Sequence, residues 1–536
     1  MKKLTILVLS LAFVLGLCSC GQQEPLEQIP FFAKTCSAEE VIEKINSIGE
    51  VTLEKEQLLE EIYVDYSQMP KAEKAKVTNY DVLDDARNAI AKLYNTEEKA
   101  GERIDRSKIL RGVYCVYTWN DERIQWVADA GIDFIHCVPN NTGPLDLCSK
   151  YGLGAFLSYL PGWFGGDGSN AGGYASAVPS GTFDSYAANF VDHPAIWAVD
   201  MGDEPNCIEF PHYGTMIKEA EALFPGKLAY LNIYPNYASL EQQGVPTYEE
   251  YIDIYCQNID TDYICYDGYP IIEWGEDVIP DHDMFMHIDN VRVVSNACKK
   301  YGKDFWYVLQ CGAQVKLPLT DHKYMTVEEL NSQVYPALAY GAKVLTWACW
   351  EDGWFVANSN MIDRSGNRTP AYYRVKEVNE NIDALSPVYM KYTNIDTSFI
   401  GDIATLEAKA ENLDLDQGEN GDNYNVLAED DNVLNQDFFK NISVNTSDAT
   451  LAGYFEKNSG EGHALLVTNV EDFFAYEDNY YVVSTISFEL ENTDCNVIAY
   501  YPDYACNLTP DENSVYSFDL ARNEGVFVTV EYTTAK

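Results

Sequence analysis

The sequence has little positive charge. Among its 536 residues, 36 are Lys or Arg and 84 are Asp or Glu, so the formal net charge is −48. A chain this acidic repels phosphate backbones and anionic lipid surfaces, which argues against nucleic-acid binding and against electrostatic membrane binding. Histidine is also scarce, with 7 scattered residues, and neither a CxxC pair nor an HExxH motif occurs. The sequence therefore predicts neither a metal ion nor another cofactor.

Long hydrophobic runs are absent beyond the N-terminus. Lys2 and Lys3 precede an apolar stretch that ends at Leu17, which is short for a membrane span and typical of an export signal. The segment Leu17-Cys-Ser-Cys-Gly21 resembles a bacterial lipobox, which implies cleavage before Cys20 and a lipid on its thiol; plain secretion is the alternative. We expect residues 1–20 to be a signal peptide and 21–36 a tether. The protein is then exported and lipid-anchored to the bacterial cell membrane or cell surface, with the lipid as its sole membrane contact.

The 14 cysteines lack the spacing of a small disulfide-stabilised domain. Several of them, including Cys115, Cys265 and Cys349, fall inside apolar strand-like segments, where cysteine acts as a small hydrophobic residue. Near the C-terminus, Cys495 and Cys506 are candidates for a bridge, although neighbouring strands also bring unbonded thiols together. The sequence leaves that pairing open.

Residues 37–100 have helical periodicity. Val41, Ile45 and Ile48 recur every three to four positions, and breaks follow at Gly49 and Pro70. The segment Ala38-Glu-Glu-Val-Ile and others like it resemble small three-helix modules repeated in bacterial cell-surface proteins. Such modules are spacers or adhesion units, so we expect a spacer with no chemistry of its own.

Residues 105–390 alternate between short apolar strands and longer helical stretches, which predicts a parallel sheet covered on both faces. Eight such units match the usual length of a (β/α)8 TIM barrel. No Gly-rich phosphate-binding motif follows the first strand, which disfavours an open doubly wound sheet. The predicted strands are 112–117, 132–138, 154–159, 196–201, 228–233, 263–266, 305–310 and 344–349.

Residues 391–536 contain short segments rich in Val, Tyr, Phe and Thr, separated by Asn, Asp and Gly turns. This pattern predicts a β-sandwich. Within it, residues 402–438 are strongly acidic and predict a long loop. The predicted fold class is therefore α/β: a (β/α)8 barrel with an N-terminal helical module and a C-terminal β-sandwich.

Two adjacent carboxylates, Asp203 and Glu204, end the fourth predicted strand in the segment His193-Pro-Ala-Ile-Trp-Ala-Val-Asp-Met-Gly-Asp-Glu-Pro205. Active sites of (β/α)8 barrels lie at this end of the strands. Burying two carboxyl groups together raises the pKa of one of them, which suits a general acid.

The same segment resembles the fourth strand of clan A glycoside hydrolases, especially relatives of the family 42 β-galactosidases. Gln333-Val-Tyr-Pro-Ala-Leu-Ala-Tyr-Gly-Ala-Lys343 resembles the last helix of that group. The resemblance implies hydrolysis of extracellular oligo- or polysaccharide, with Glu204 as the acid/base residue and carbohydrate as the substrate. In these enzymes Asn usually precedes that Glu, whereas this chain has Asp203.

The end of the seventh strand departs further from that group, because Gln310 stands where a retaining enzyme carries its nucleophilic Glu. Three alternatives follow. Asp267 or Glu351 can act as the base of an inverting reaction. Asp203 and Glu204 can act as a pair on a 2-acetamido sugar whose own amide attacks. Lastly, catalysis can be lost, which leaves a glycan-binding lipoprotein.

Aromatic and neutral polar side chains near the other strand ends suit a sugar cleft, since rings cover sugar C–H faces and amides bond hydroxyl groups. The predicted substrate-binding residues are Trp119, Asn120, Asn232, Tyr234, Tyr269, Gln310, Trp347 and Trp350.

Overall fold

A computed structural model describes residues 36–95, 104–158, 188–271, 280–312, 324–401, 434–446, 449–470 and 483–532. The predicted signal peptide, the lipidation site Cys20 and nearly all of the predicted acidic loop lie outside these residues. Among the helices in the described ranges, none is long and apolar enough to cross a membrane.

The N-terminal region forms a small helical unit. Helix α1 begins with a capping box, in which the Ser37 hydroxyl accepts from the Glu40 N–H and the Glu40 carboxylate accepts from the Ser37 N–H. Val41 and Ile45 of α1 and Leu59 and Ile62 of α2 are buried, as the periodicity predicts. The helices are α1 Ala38–Asn46, α2 Glu56–Ser67, α3 Lys71–Lys74 and α4 Tyr80–Tyr94.

Eight parallel strands follow and form the predicted barrel. They hydrogen-bond in the order β5-β4-β3-β2-β1-β8-β7-β6, and a parallel bridge between Ile233 and Tyr266 joins the two ends of the sheet. The strands are β1 Leu110–Val113, β2 Phe134–Val138, β3 Gly154–Ser158, β4 Ile196–Asp203, β5 Leu228–Asn232, β6 Tyr263–Asp267, β7 Asp304–Gln310 and β8 Ala342–Ala348. The described helices around them are α5 Asp121–Asp129, α6 Thr142–Lys150, α7 Phe210–Leu223, α8 Leu240–Gln243, α9 Tyr248–Asn258, α10 Pro280–Tyr301, α11 Val327–Ala339 and α12 Pro370–Tyr389.

Strand β1 ends earlier than predicted, at Val113 rather than Tyr117. The physical reason is at Cys115, whose φ of 67° lies in the left-handed region and turns the chain out of the sheet.

Stacked rings fill the barrel interior. Phe134 and Phe156 stack with centroids 4.3 Å apart, and Tyr263 and Trp306 stack at 4.2 Å. Tyr230 lies between these pairs and is fully buried. A barrel packed in this way has room for a ligand only at its rim, above the rings.

The C-terminal region consists of two antiparallel sheets, as a β-sandwich requires. One has the order β10-β13-β16 and the other β15-β14-β17-β12-β11-β9. The strands are β9 Tyr392–Ile400, β10 Phe439–Val444, β11 Thr450–Lys457, β12 His463–Asn469, β13 Val483–Leu490, β14 Cys495–Tyr500, β15 Ala505–Asn507, β16 Val515–Ala521 and β17 Gly525–Tyr532.

The candidate bridge between Cys495 and Cys506 does not form, and both thiols are free. The register of β14 and β15 explains this, because Cys506 pairs with Ala499 and Cys495 pairs with Tyr532 on the opposite neighbour β17. Cys495 begins β14, whereas Cys506 of β15 lies beside Ala499 near the other end of that strand, so the two thiols are too far apart to bond.

The helical unit packs against both other parts. Glu60 of α2 bonds Arg87 of α4 at 3.2 Å, Lys391 beside β9 at 3.2 Å, and the hydroxyl of Tyr500 in β14 at 3.0 Å. Arg87 also donates to the carbonyl of Ala384 in α12. The described helices thus contact both the barrel helix α12 and the sandwich strand β14.

Candidate active site

A β-bulge places two carboxyl groups of β4 on one face. Asp200 pairs with Tyr230 and Asp203 with Asn232, so three residues of β4 advance over two residues of β5. Side chains of a regular strand alternate, and residues three apart would point to opposite faces. The extra residue at the bulge, next to Gly202 with its φ of 148°, allows Asp200 and Asp203 both to face the barrel mouth.

Glu204 leaves the strand with a φ of 46°, in the left-handed region, while its N–H still donates to the Asn232 carbonyl at 3.0 Å. Non-glycine residues adopt this conformation rarely and often at functional sites, where the surrounding structure holds them. The turn brings its carboxyl group into hydrogen-bond contact with that of Asp267 at the end of β6.

Asn232 links the carboxyl groups of two strands. Its Nδ2 donates to Asp203 Oδ1 at 2.8 Å and to Asp267 Oδ1 at 2.7 Å. The Asn232 side chain is 2% exposed, and its Oδ1 is buried without a hydrogen-bond partner in the described chain. Both amide hydrogens therefore bind protein carboxyl groups and fix the Asn232 side chain between the two strands.

Burial and mutual repulsion raise the pKa values of these carboxyl groups. Burial is the largest cause for Asp203, followed by the charge of Asp267, and together they raise its pKa to about 8. Burial, then Asp267 and then Asp203 hold the pKa of Glu204 well above its usual range. Burial also raises the pKa of Asp267, although hydrogen bonds from Asn232, Tyr269 and Glu204 oppose the shift. All three shifts go in the direction that favours the protonated carboxyl group.

Asp200 extends the cluster below Asp203. Burial raises its pKa to about 7, and its Oδ2 accepts from the Cys137 thiol at 3.2 Å. His136 Nδ1 lies 4.0 Å from the same oxygen, but burial lowers the pKa of His136 well below its usual range, so that ring is neutral and supplies no counter-charge. We call the carboxyl groups of Asp200, Asp203, Glu204 and Asp267 the mouth carboxyls.

Aromatic side chains border the mouth carboxyls. Tyr269 hydrogen-bonds Asp267, and its ring lies 6.0 Å from that of Trp354. Trp354 is 44% exposed and also approaches Tyr114, again at 6.0 Å. An exposed indole beside a carboxyl cluster is a suitable surface for the C–H face of a sugar.

Glu351, a predicted base, takes a different position. Its two carboxylate oxygens accept from the Thr118 N–H and from the Thr118 hydroxyl, both at 3.3 Å. In the described residues no hydrogen bond or ion pair joins it to the mouth carboxyls. Its observed role is to fasten the loop after β8 to the loop after β1.

Gln310 is fully buried and fully engaged. Its Nε2 donates to the Ile271 and Gly312 carbonyls, both at 2.9 Å, and its Oε1 accepts from the Ile271 N–H at 3.0 Å. These bonds tie the segment after β6 to the end of β7. The amide therefore has no free group to offer a substrate.

The structure divides the remaining predicted sugar contacts. Trp347 is fully buried and donates to Asn379 Oδ1 of α12 at 2.9 Å, and Trp350 is fully buried against Tyr372 of the same helix. Both indoles thus face the outer helical layer. Asn120 caps α5 by accepting from the Arg123 N–H, the half-buried Trp119 packs against the core, and Tyr234 is 1% exposed beside Tyr251. Of the predicted residues, Asp203, Glu204, Asp267, Asn232 and Tyr269 come together.

Sequence reasoning missed Asp200, Cys137, Tyr114 and Tyr237. Burial, and then the charges of Asp267 and Glu204, raise the pKa of Tyr237. Asp200 stands inside an otherwise apolar strand, and that break in the pattern was a usable signal. Tyr237 belongs to a loop and had no comparable signal. Within the described residues, no group of three or more His, Cys, Asp or Glu side chains is arranged to hold a metal ion.

No protein-family model matches the chain, and no curated protein matches its sequence. The barrel and sandwich resemble solved glycoside hydrolases. A family 30 subfamily 8 xylanase from Clostridium acetobutylicum is 11% identical, with 81% of this chain and 98% of that chain covered and a TM-score of 0.39. A beta-galactosidase from Rahnella sp. R3 is 11% identical (81% and 99% covered, TM-score 0.44), and a family 5 glycoside hydrolase from Bacteroides vulgatus is 10% identical (80% and 90% covered, TM-score 0.46). At these values the likeness says nothing about the reaction or the sugar.

Proposed function

We propose that this protein is a glycoside hydrolase that acts on extracellular oligo- or polysaccharide, with Glu204 as the proton donor. The observation that carries the proposal is the Glu204 carboxyl at the rim of the barrel, whose pKa burial and then Asp267 hold well above its usual range. Breaking a glycosidic bond requires a group that is protonated at working pH and can give its proton to the leaving oxygen. The exposed Trp354, whose ring lies 6.0 Å from that of Tyr269, supports a sugar as the substrate.

The position of Asp267 bears on the mechanism. Retaining enzymes separate their two carboxyl groups by about 5–5.5 Å and inverting enzymes by about 6.5–9.5 Å, whereas here Asp267 and Glu204 are in hydrogen-bond contact. Carboxyl groups this close favour substrate assistance on a 2-acetamido sugar. The acetamide carbonyl oxygen then attacks the anomeric carbon while Glu204 protonates the leaving oxygen. Asp203 and Asp267, oriented by Asn232, hold the acetamide N–H.

Turnover of aryl 2-acetamido-2-deoxyglycosides, with aryl glycosides lacking the acetamide as the comparison, tests the reaction. We expect Glu204→Gln to lower kcat by about 10²–10⁴-fold, the usual contribution of a general acid, with an unchanged circular dichroism spectrum. Glu351→Gln is the matched carboxyl variant at the same rim, and we expect it to retain turnover. Equal activity of wild type and Glu204→Gln would refute the assignment.

A second candidate is a glycan-binding protein without catalysis. Gln310 favours it, because this amide occupies the position of the usual nucleophile and its hydrogen bonds are all used by the backbone. The two functions differ in one measurement. Calorimetric glycan binding that is equal in wild type and Glu204→Gln, together with no hydrolysis by wild type over days, would support the binding protein.

The proposal includes export and lipid anchoring through Cys20, which rest on the N-terminal sequence. Wild type expressed in a bacterial host should fractionate with membranes and incorporate labelled palmitate. Cys20→Ala should lose the label, because the acylated thiol is gone, whereas Cys18→Ala should keep it. Label in Cys20→Ala would place the anchor elsewhere.

A further inference from the structure

Two thiols meet where the ends of β1 and β8 adjoin. Cys349 directly follows β8, Cys115 follows β1 by two residues, and the Glu351 N–H donates to the Cys115 carbonyl at 3.1 Å. The Cys115 and Cys349 thiols lie close enough to shift each other's pKa. Both sulfur atoms lie against Gly353, where an added Cβ would be 2.3 Å from Cys349 Sγ and 3.0 Å from Cys115 Sγ.

The two thiols differ in reactivity. Hydrogen bonds with Cys349 and Tyr117 lower the pKa of Cys115 despite its burial, and its side chain is 8% exposed. Burial raises the pKa of Cys349, which is 0% exposed. Because the thiolate is the attacking form, Cys115 reacts first with an oxidant and Cys349 follows as the resolving thiol.

We propose that Cys115 and Cys349 form a disulfide that joins β1 to β8 at the barrel rim when the protein meets a small-molecule disulfide. Cys115 thiolate attacks one sulfur of the oxidant, which releases one thiol and leaves a mixed disulfide. Cys349 then attacks the Cys115 sulfur, and the second thiol leaves. The oxidant gains two electrons and the two cysteine protons, so the reaction balances.

This cross-link would act on the mouth through Trp354. The backbone N–H of Trp354 donates to the Cys349 sulfur, and the Trp354 ring faces Tyr269 and Tyr114. Fixing Cys349 to Cys115 holds the segment that carries this exposed indole. The other thiols nearby are engaged elsewhere: Cys311 donates to the Ala348 carbonyl at 3.0 Å and Cys137 to Asp200.

The test uses the full chain, folded and reduced, then incubated with oxidised glutathione. After alkylation and digestion, mass spectrometry should find one peptide pair joined through Cys115 and Cys349, and thiol titration should find two fewer thiols. The oxidised form should also have a higher Tm, because the bond closes a long loop in the unfolded chain. Cys256→Ser, on helix α9, is the matched control and should behave as wild type.

Cys115→Ser should abolish both the joined peptides and the difference in Tm between the reduced and oxidised forms. Cys349→Ala should give the same result, and it serves as the test if Cys115→Ser folds poorly. Persistent glutathione on Cys115 without the joined peptides, or a bond from Cys115 to Cys137, would overturn the proposal. None of these measurements depends on hydrolase activity, so the proposed function and the disulfide can fail separately.

Discussion

The protein has two clusters of ionisable side chains, and the clusters differ in the sign of the charges that surround each group. At the junction of the helical unit, barrel and sandwich, three cations face three anions: Arg87, Lys391 and Lys457 against Glu56, Glu60 and Glu531. At the barrel mouth the four mouth carboxyls gather, and among the described residues no Lys or Arg contacts them. One region holds paired charge and the other holds charge of a single sign.

The pKa values follow from this difference. Burial would raise the pKa of Glu60, but the charges of Arg87 and Lys391 outweigh it and lower that pKa to about 2. Asp203 is half-buried at the mouth, and its main electrical neighbour is another carboxyl, so its pKa rises to about 8. The sign of the neighbouring charge thus separates a permanently ionised structural group from a carboxyl that holds its proton. The second kind of site is suited to proton transfer.

The largest expected effect comes from removing one cation at the junction. Arg87→Met leaves Glu60 buried beside one cation instead of two, and breaking a buried ion pair this way typically costs about 3–5 kcal/mol. Urea unfolding would measure the loss in the free energy of unfolding. Arg87→Met/Glu60→Gln should recover part of it, because no uncompensated carboxylate remains.

Lys44→Ala is the matched surface control. It breaks the ion pair with Asp65, whose partners are 45% and 30% exposed, and should cost at most about 1 kcal/mol. Equal losses in Arg87→Met and Lys44→Ala would mean that burial at the junction does not govern the energy of its ion pairs.

An intermediate effect is expected from adding a carboxyl to the mouth side of β7. Gln310→Glu removes the two N–H donors that bind Ile271 and Gly312 and buries an unpaired acid, at a cost of about 1–3 kcal/mol. We expect thermal unfolding at lower temperature and no gain in hydrolysis. A large gain in kcat would show that this position supplies a nucleophile after all.

The smallest expected effect is a pH dependence of opposite sign in the two regions. Glu60 has a lowered folded pKa, so its stabilisation is complete above the unfolded value near 4.5 and is lost as pH falls toward 2. Asp203 has a raised folded pKa, so the folded state binds more protons and stability declines as pH rises from about 4 to about 8. Between pH 5 and pH 8 the free energy of unfolding should decline, because the folded state holds a proton at Asp203 that the unfolded state releases.

Unfolding free energies at pH 5 and pH 8 measure this decline. Asp203→Asn should flatten it, because the amide does not titrate, whereas Glu512→Gln, at an exposed position of the sandwich, should leave it unchanged. Identical slopes in wild type and Asp203→Asn would contradict the raised pKa.

The strand pattern predicted the barrel and the sandwich because the apolar character of each strand can be read from consecutive residues, without knowledge of its neighbours in space. All eight barrel strands were found within a few residues of their predicted positions. The structure brings together Asp203, Glu204 and Asp267, which follow their predicted strands directly. Trp347 and Trp350 lie apart from them, because the face of the rim that an indole occupies depends on the packing of α12, which lies beyond the local sequence.

By itself, the sequence determined the sign of the charge, the alternation of strands and helices, and the presence of carboxyl groups at the strand ends. Only the tertiary structure decided which charges are neutralised. Residues 60, 87 and 391 are far apart in the chain, yet they form a paired cluster, whereas a single-residue bulge in β4 brings Asp200 and Asp203 onto one face beside Asp267. The physical reason is that the pKa of a buried group depends on its neighbours in space, and contacts between distant segments set those neighbours.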